Sequence, residues 1–270
     1  MRRTLALVGL LASALAGGVA ISGCGASGLD TSAVAQAAQT TQDAGTARVT
    51  FTASVAGTTL NGSGVVDMKR RIAKLTMTTP QGQMREVYDG KRMYMQFPPA
   101  MRKGILARKP WASVDIGAIA KAEGVDLGAL QSASDPSNAV GQLRGLAQVK
   151  RVGTATVRGV ETTEFTANVD LRKAAARAPV AQRAAAERSV DTLIRMMGRS
   201  TMPVRIWVDD AKRVRRERFS FTVAGQTITM TMDLFDFGTA QAITPPPADQ
   251  VTDLTKLITT QQGQTSQATP

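Results

Sequence analysis

Arg48-Val49-Thr50-Phe51-Thr52-Ala53-Ser54-Val55 is the stretch that decides the fold. Val49, Phe51, Ala53 and Val55 alternate with Arg48, Thr50, Thr52 and Ser54. A period of two marks a strand with one buried face. The same period continues downstream. Residues 60–68 form a second strand, Ala73, Leu75 and Met77 mark a third, and residues 84–88 a fourth. Asp89-Gly90 is a hairpin turn signal, and residues 92–97 supply the fifth strand. Strands this close, joined by short turns, predict an antiparallel meander.

Beyond the meander, a loop interrupted by proline and glycine covers residues 98–110. Residues 111–115 read as extended, and short helices are expected over 115–123, 126–133 and 136–147. Residues 155–171 read as a hairpin turning near Arg158-Gly159, with Thr163, Phe165, Ala167 and Val169 along one face. A long helical signal covers 172–198, which Pro179 should break or kink. Val190, Leu193, Ile194 and Met197 form its apolar stripe, and Gly198 ends it. Three further strands are expected over 204–209, 214–223 and 226–237. Upstream of the first strand, Asp30 or Thr31 can cap a helix running to about Ala44. The order is meander, helices, meander. It predicts an α+β domain with one extended antiparallel β-sheet and helices gathered on one face. Alternating βα units are absent, which disfavours a two-lobed solute-binding protein.

The chain opens with a positive start, Arg2 and Arg3, then an uncharged apolar run rich in small residues, then Ile21-Ser22-Gly23-Cys24. The run is too short and too rich in small residues to favour a permanent span. Small residues before a cysteine resemble the bacterial lipobox, in which the signal is cut before the cysteine and its sulfur takes a diacylglycerol. Cys24 is the only cysteine in 270 residues. The competing reading is an ordinary cleaved signal with a chance cysteine. The expected layout is a signal peptide over 1–23, a lipid-anchored tether over 24–30, one domain over 31–258 and a disordered Gln- and Thr-rich tail over 259–270. Two acyl chains give stable anchoring where one gives only reversible binding.

Two absences bound the chemistry. There is no histidine, and no cysteine besides Cys24. Histidine-based triads, histidine acid–base catalysis, the usual zinc sites and disulfides are thereby excluded. Carboxylate or Ser-Lys chemistry would still be open, but no local signature of either is present. No cofactor, metal site or catalytic residue is expected, and the chain is not read as an enzyme. A formal net charge of +12 favours acidic partners such as anionic headgroups, or serves solubility alone. Export argues against nucleic acid as the partner.

Met77, Met84, Met93, Met95, Met230 and Met232 stand on strand faces where a tight core would prefer branched residues. Methionine adapts to irregular shapes and recurs on surfaces that accept varied apolar ligands. These residues either fill an ordinary core, which the residues alone favour, or wall an apolar cavity. Asp209-Asp210 reads as a turn between strands. The run 212–218 holds five basic residues and reads as the solvated side of a strand.

Four stretches carry a family resemblance. They are the lipobox with its following helix, Val87-Tyr88-Asp89-Gly90-Lys91-Arg92-Met93-Tyr94-Met95, Lys109-Pro110-Trp111 before a strand, and Pro203-Val204-Arg205-Ile206-Trp207-Val208-Asp209-Asp210 followed by Val214-Arg215-Arg216. Together they resemble the LppX/LprG-type lipoproteins of actinobacteria, which share the fold of the carriers LolA and LolB. The likeness in element order spans about residues 31–258. It implies a half-barrel with helices on its concave side, enclosing an apolar cavity that holds acyl chains. It also implies a lipid, glycolipid or lipoglycan ligand and a protein tied to the outer face of the cell membrane. On that resemblance the methionine face becomes a ligand wall. Phe51, Leu75, Met77, Met93, Met95, Phe165, Phe221, Met230 and Met232 are assigned to the cavity by alternation. Met101, Arg102, Lys103, Ile105, Leu106 and Arg108 are assigned to its mouth. The resulting reading is a membrane-anchored carrier. The alternative is a sensor or interaction module acting on a membrane regulatory protein, and a membrane transporter or regulator is the partner class considered.

Overall fold

Strand β1 (Thr46–Val55) has partners from both ends of the chain, and this arrangement organises the sheet. The computed structural model describes residues 26–55, 57–104, 109–118, 146–176, 180–223, 225–239 and 242–257. Helix α1 (Ala26–Asp43) leads into β1, followed by β2 (Thr58–Asp67), β3 (Ile72–Thr79), β4 (Gly82–Tyr88), β5 (Arg92–Gln96) and β6 (Trp111–Asp115). Next come β7 (Leu146–Val157), β8 (Val160–Asp170), α2 (Leu171–Ala176) and α3 (Val180–Met197). The last elements are β9 (Thr201–Asp209), β10 (Val214–Val223), β11 (Gln226–Phe235) and β12 (Val251–Asp253).

The described strands make one curled, unclosed sheet in the order β12-β6-β5-β4-β3-β2-β1-β11-β10-β9-β8-β7. It consists of two meanders, β1 to β6 and β7 to β11, joined where β1 pairs antiparallel with β11. The antiparallel α+β sheet expected from the alternation, and the half-barrel that the resemblance implies, are what the chain adopts. Two glycines face its concave side in β2. A methyl group on Gly62 would fall inside the Phe51 ring, and one on Gly64 would meet the Lys74 carbonyl and Leu75. Glycine at both places lets neighbouring side chains lie flat on the backbone.

The helices cover the β7–β11 half. Val34, Ala37 and Ala38 of α1 pack with Phe165, Ala167, Val204, Ile206, Phe221 and Met230. Val190, Ile194 and Met197 of α3 join the same cluster; the Leu193 side chain lies outside the described residues. Helix α2 ends at Ala176 and α3 begins at Val180; the expected kink or break at Pro179 lies outside the described residues. Gly198 ends α3 with φ +69°, a conformation that costs glycine little.

Three expectations need correction. Helix α1 begins at Ala26, not at a cap on residue 30. Asp30 lies inside it and accepts a hydrogen bond from the Arg151 backbone N–H at 3.0 Å. The helix expected through residue 147 gives way at Leu146 to β7, nine residues before the hairpin foreseen from 155. Register shifts between Ala147 and Lys150 and between Arg151 and Gly153 break the period of two there, so alternation hides the strand. The third concerns β12, which the sequence reading did not place. It pairs in parallel with β6 and covers that edge. Lys109 Nζ donates to the Val251 carbonyl at 3.1 Å, and Arg92 pairs with Asp253 at 2.8 Å. The helices expected between 119 and 145, the segment 1–25 and the tail from 258 lie outside the described residues.

Candidate functional site

Directly opposed residues in antiparallel strands share a face. Phe51 opposes Met232 on β11 and Gly62 on β2, Gly62 opposes Met77, and Met77 opposes Met84. Leu75 opposes Glu86, which opposes Met95, and Tyr88 opposes Met93. On the other side of β1, Met230 opposes Phe219, Phe221 opposes Ile228, Glu217 opposes both Met232 and Ile206, and Ile206 opposes Phe165. The register therefore brings all nine residues assigned to the cavity onto the concave, helix-bearing face.

They are not equally covered. Phe165, Phe221 and Met230 are buried in the cluster under α1 and α3. Met232 is buried beside the half-buried Phe51 and Leu75 in a second cluster with Val49, Val66 and Leu234. Met77 is buried, at 3% exposure, while Met84, Met93 and Met95 are half-buried.

Two carboxylates on this face escaped the sequence reading. Glu217 on β10 is 5% exposed and Glu86 on β4 is 7% exposed. Neither makes a hydrogen bond or ion pair among the described residues. Burial pushes the Glu217 carboxyl up to about 8 and that of Glu86 up to about 7. The signal was present in the alternation: Glu217 stands in phase with Phe219 and Phe221, and Glu86 in phase with Met84.

The loop assigned to the mouth is described in part. Pro99–Met101 forms a single 3-10 turn. Met101 and Arg102 are half-buried, Lys103 is exposed, and the Arg102 Nε is buried without a hydrogen-bond partner among the described residues. Ile105, Leu106 and Arg108 lie outside the described residues, as does Cys24.

Of the basic run 212–218, Arg213, Arg215 and Arg216 are paired with carboxylates on the side away from this site, and Lys212 and Arg218 are exposed. Arg213 and Arg215 bind Asp209 at 3.0 and 2.7 Å, and Arg216 grips Asp233 with bonds of 2.5 and 2.7 Å. Arg205 pairs with Glu164, and the guanidinium groups of Arg205 and Arg216 lie 5.3 and 5.8 Å from the Trp207 ring. Much of the positive charge on this face is thus tied to carboxylates and aromatic rings rather than standing free in solvent. Asp209 also holds the turn foreseen at 209–210, accepting from the Arg213 backbone N–H at 2.8 Å.

Among the described residues no helix is long and apolar enough to cross a membrane, and no cluster of His, Cys, Asp and Glu could hold a metal ion. No protein-family model and no curated protein matches the chain. Similar solved structures include the lipoprotein LppX of Mycobacterium tuberculosis, at 14% identity over 78% of this chain and 98% of that one, with a TM-score of 0.45. LprF of Mycobacterium bovis is similar at 12% identity over 79% and 97%, TM-score 0.44. The MucA/MucB complex of Pseudomonas aeruginosa follows at 12% identity over 81% and 58%, TM-score 0.35.

Proposed function

We propose that this protein is an exported lipoprotein, anchored through Cys24 to the outer face of the cell membrane, that binds a lipid, glycolipid or lipoglycan on its concave face and carries it. The observation that supports this reading most is the register. It aligns nine apolar residues on one face and leaves Leu75, Met84, Met93 and Met95 half-buried around the buried Met77. Each CH₂ removed from water there contributes about 0.8 kcal/mol, so one long acyl chain supplies most of the binding energy. Met101, Arg102 and Lys103 would mark the entrance, with the neighbouring Ile105, Leu106 and Arg108. Their charge would hold it near anionic headgroups, at about 1 kcal/mol per basic group. The reading assigns no catalytic step.

Native mass spectrometry of the protein isolated from its own envelope tests this directly, with lipid adducts expected. Met93→Arg or Met95→Arg should fold and lose the adduct, because a half-buried site lets a long cation reach water. Lipid-free parent protein, or retained adducts in both folded variants, would sink the carrier reading. Cys24→Ala should abolish acyl labelling; unchanged labelling would remove the anchor.

A further inference from the structure

Apolar binding alone leaves Glu86 and Glu217 without a role. Glu217 is flanked across strands by Met232 and Ile206 and along its own strand by Phe219. Glu86 is flanked by Leu75 and Met95, with Met84 and Tyr88 along β4. Both are more than nine-tenths buried, and neither has a polar partner among the described residues. A polar group buried in this way costs free energy, and an apolar residue of similar size would pack without that cost. The hydrocarbon part of a ligand would not repay it. A protonated carboxyl offers one donor and one acceptor, which suits a hydroxyl, ester or amide. An anionic headgroup would have to be desolvated beside an acid, at further cost.

We propose that Glu86 and Glu217 are the polar recognition points of the concave face, and that the ligand carries uncharged hydrogen-bonding groups along its acyl chains or at their head. This inference rests on the lipid-binding reading above. Five strand spacings separate the two acids, about 24 Å measured along the sheet, so they contact separate polar groups. Burial supports the assignment, since it favours the protonated acid at Glu217 through neutral pH.

The test uses the full chain, stripped of lipid in detergent, and a set of C16 probes: 1-palmitoylglycerol, 1-chlorohexadecane, hexadecylamine and palmitate. The parent should prefer palmitoylglycerol over chlorohexadecane by about tenfold or more. Glu217→Leu and Glu86→Leu should each erode that preference severalfold. Glu217→Gln should keep it, because the amide retains a donor and an acceptor. An unchanged preference in the Leu double variant overturns the proposal, as does tighter parent binding of hexadecylamine than of palmitoylglycerol. Failure of the parent to bind any C16 probe removes the lipid-binding reading itself. Failure confined to the Leu and Gln comparison leaves that reading standing and removes only this one.

Discussion

The two meanders are packed differently: both bury apolar residues on the concave face, but among the described residues only the first carries a second cluster on the convex one. In the β7–β11 half the apolar cluster lies on the concave side under α1 and α3, centred on Ile206 at 0% exposure. In the β2–β6 half a cluster forms on the convex side. There Ile243, from the segment after β11, lies against Ile72 and Val87, with Val65, Tyr94 and Trp111 around it. The concave side of that half holds buried Met77 beside half-buried Leu75, Met84, Met93 and Met95. One sheet thus supports a helix-covered core at one end and an adaptable, partly covered surface at the other. Covering the back of β2–β6 with the C-terminal segment lets its front remain apolar without making it the only anchor of the fold.

Substitutions in the two halves should separate sharply. Ile206→Ala should cost about 4 kcal/mol, since it empties a fully covered site, while Met95→Ala should cost under about 1 kcal/mol. Urea unfolding of both variants measures the contrast, and equal losses would mean that the two faces are one continuous core. Glu217 offers the next largest effect. Its carboxyl is protonated in both states below pH about 4.5. Above that the unfolded chain releases the proton, which the folded one keeps up to about 8. Parent stability should therefore fall as the pH rises through this window. Glu217→Gln should gain on the order of 3 kcal/mol relative to the parent by pH 8 and nothing at pH 4. A difference independent of pH would show that Glu217 is already paired or wet.

Smaller effects sharpen the picture at the boundary. Gly62→Ala should cost about 2 kcal/mol by forcing Phe51 off the β2 backbone, and Gly62→Ala combined with Phe51→Leu should recover part of it, readable by thermal melting. Asp253→Asn should cost less than about 1 kcal/mol, because its ion pair with Arg92 is partly exposed. The Asp253 carboxyl sits at about 2, lowered by hydrogen bonds from Thr255 and Arg92 that outweigh its burial. Its contribution is present above the unfolded value of 3.8 and is lost as the pH falls through about 2.

Much of this was legible in the chain because most strands alternate cleanly. Val49, Phe51 and Ala53 gave β1 its buried face, and the Pro179 and Gly198 signals placed the ends of α3. The same alternation set all nine candidate residues on one side of the sheet. It failed where the period was interrupted. Gln148, at φ +59°, lies between displaced register pairs, so β7 did not read as a strand. It also said nothing about β12, a three-residue parallel strand whose place depends on contacts 140 residues away. The acids are hidden for another reason: Glu86 and Glu217 bring charge into an apolar phase, and only their neighbours in register reveal the burial.

The edge strand β12 carries a consequence for how the chain matures. Trp111, Ala112 and Ser113 receive their parallel neighbours only from residues 251–253, and Arg48 meets Phe235 across β1 and β11. During synthesis the first meander can assemble alone, but both its flanks stay open until almost the whole polypeptide has emerged. Such long closures slow folding and leave backbone donors and acceptors unpaired in the meantime. A truncation before residue 251 would therefore yield a nearly complete molecule with a bare margin at β6. That margin could recruit a strand from a neighbour, making residues 251–253 a guard against self-association as much as a part of the fold.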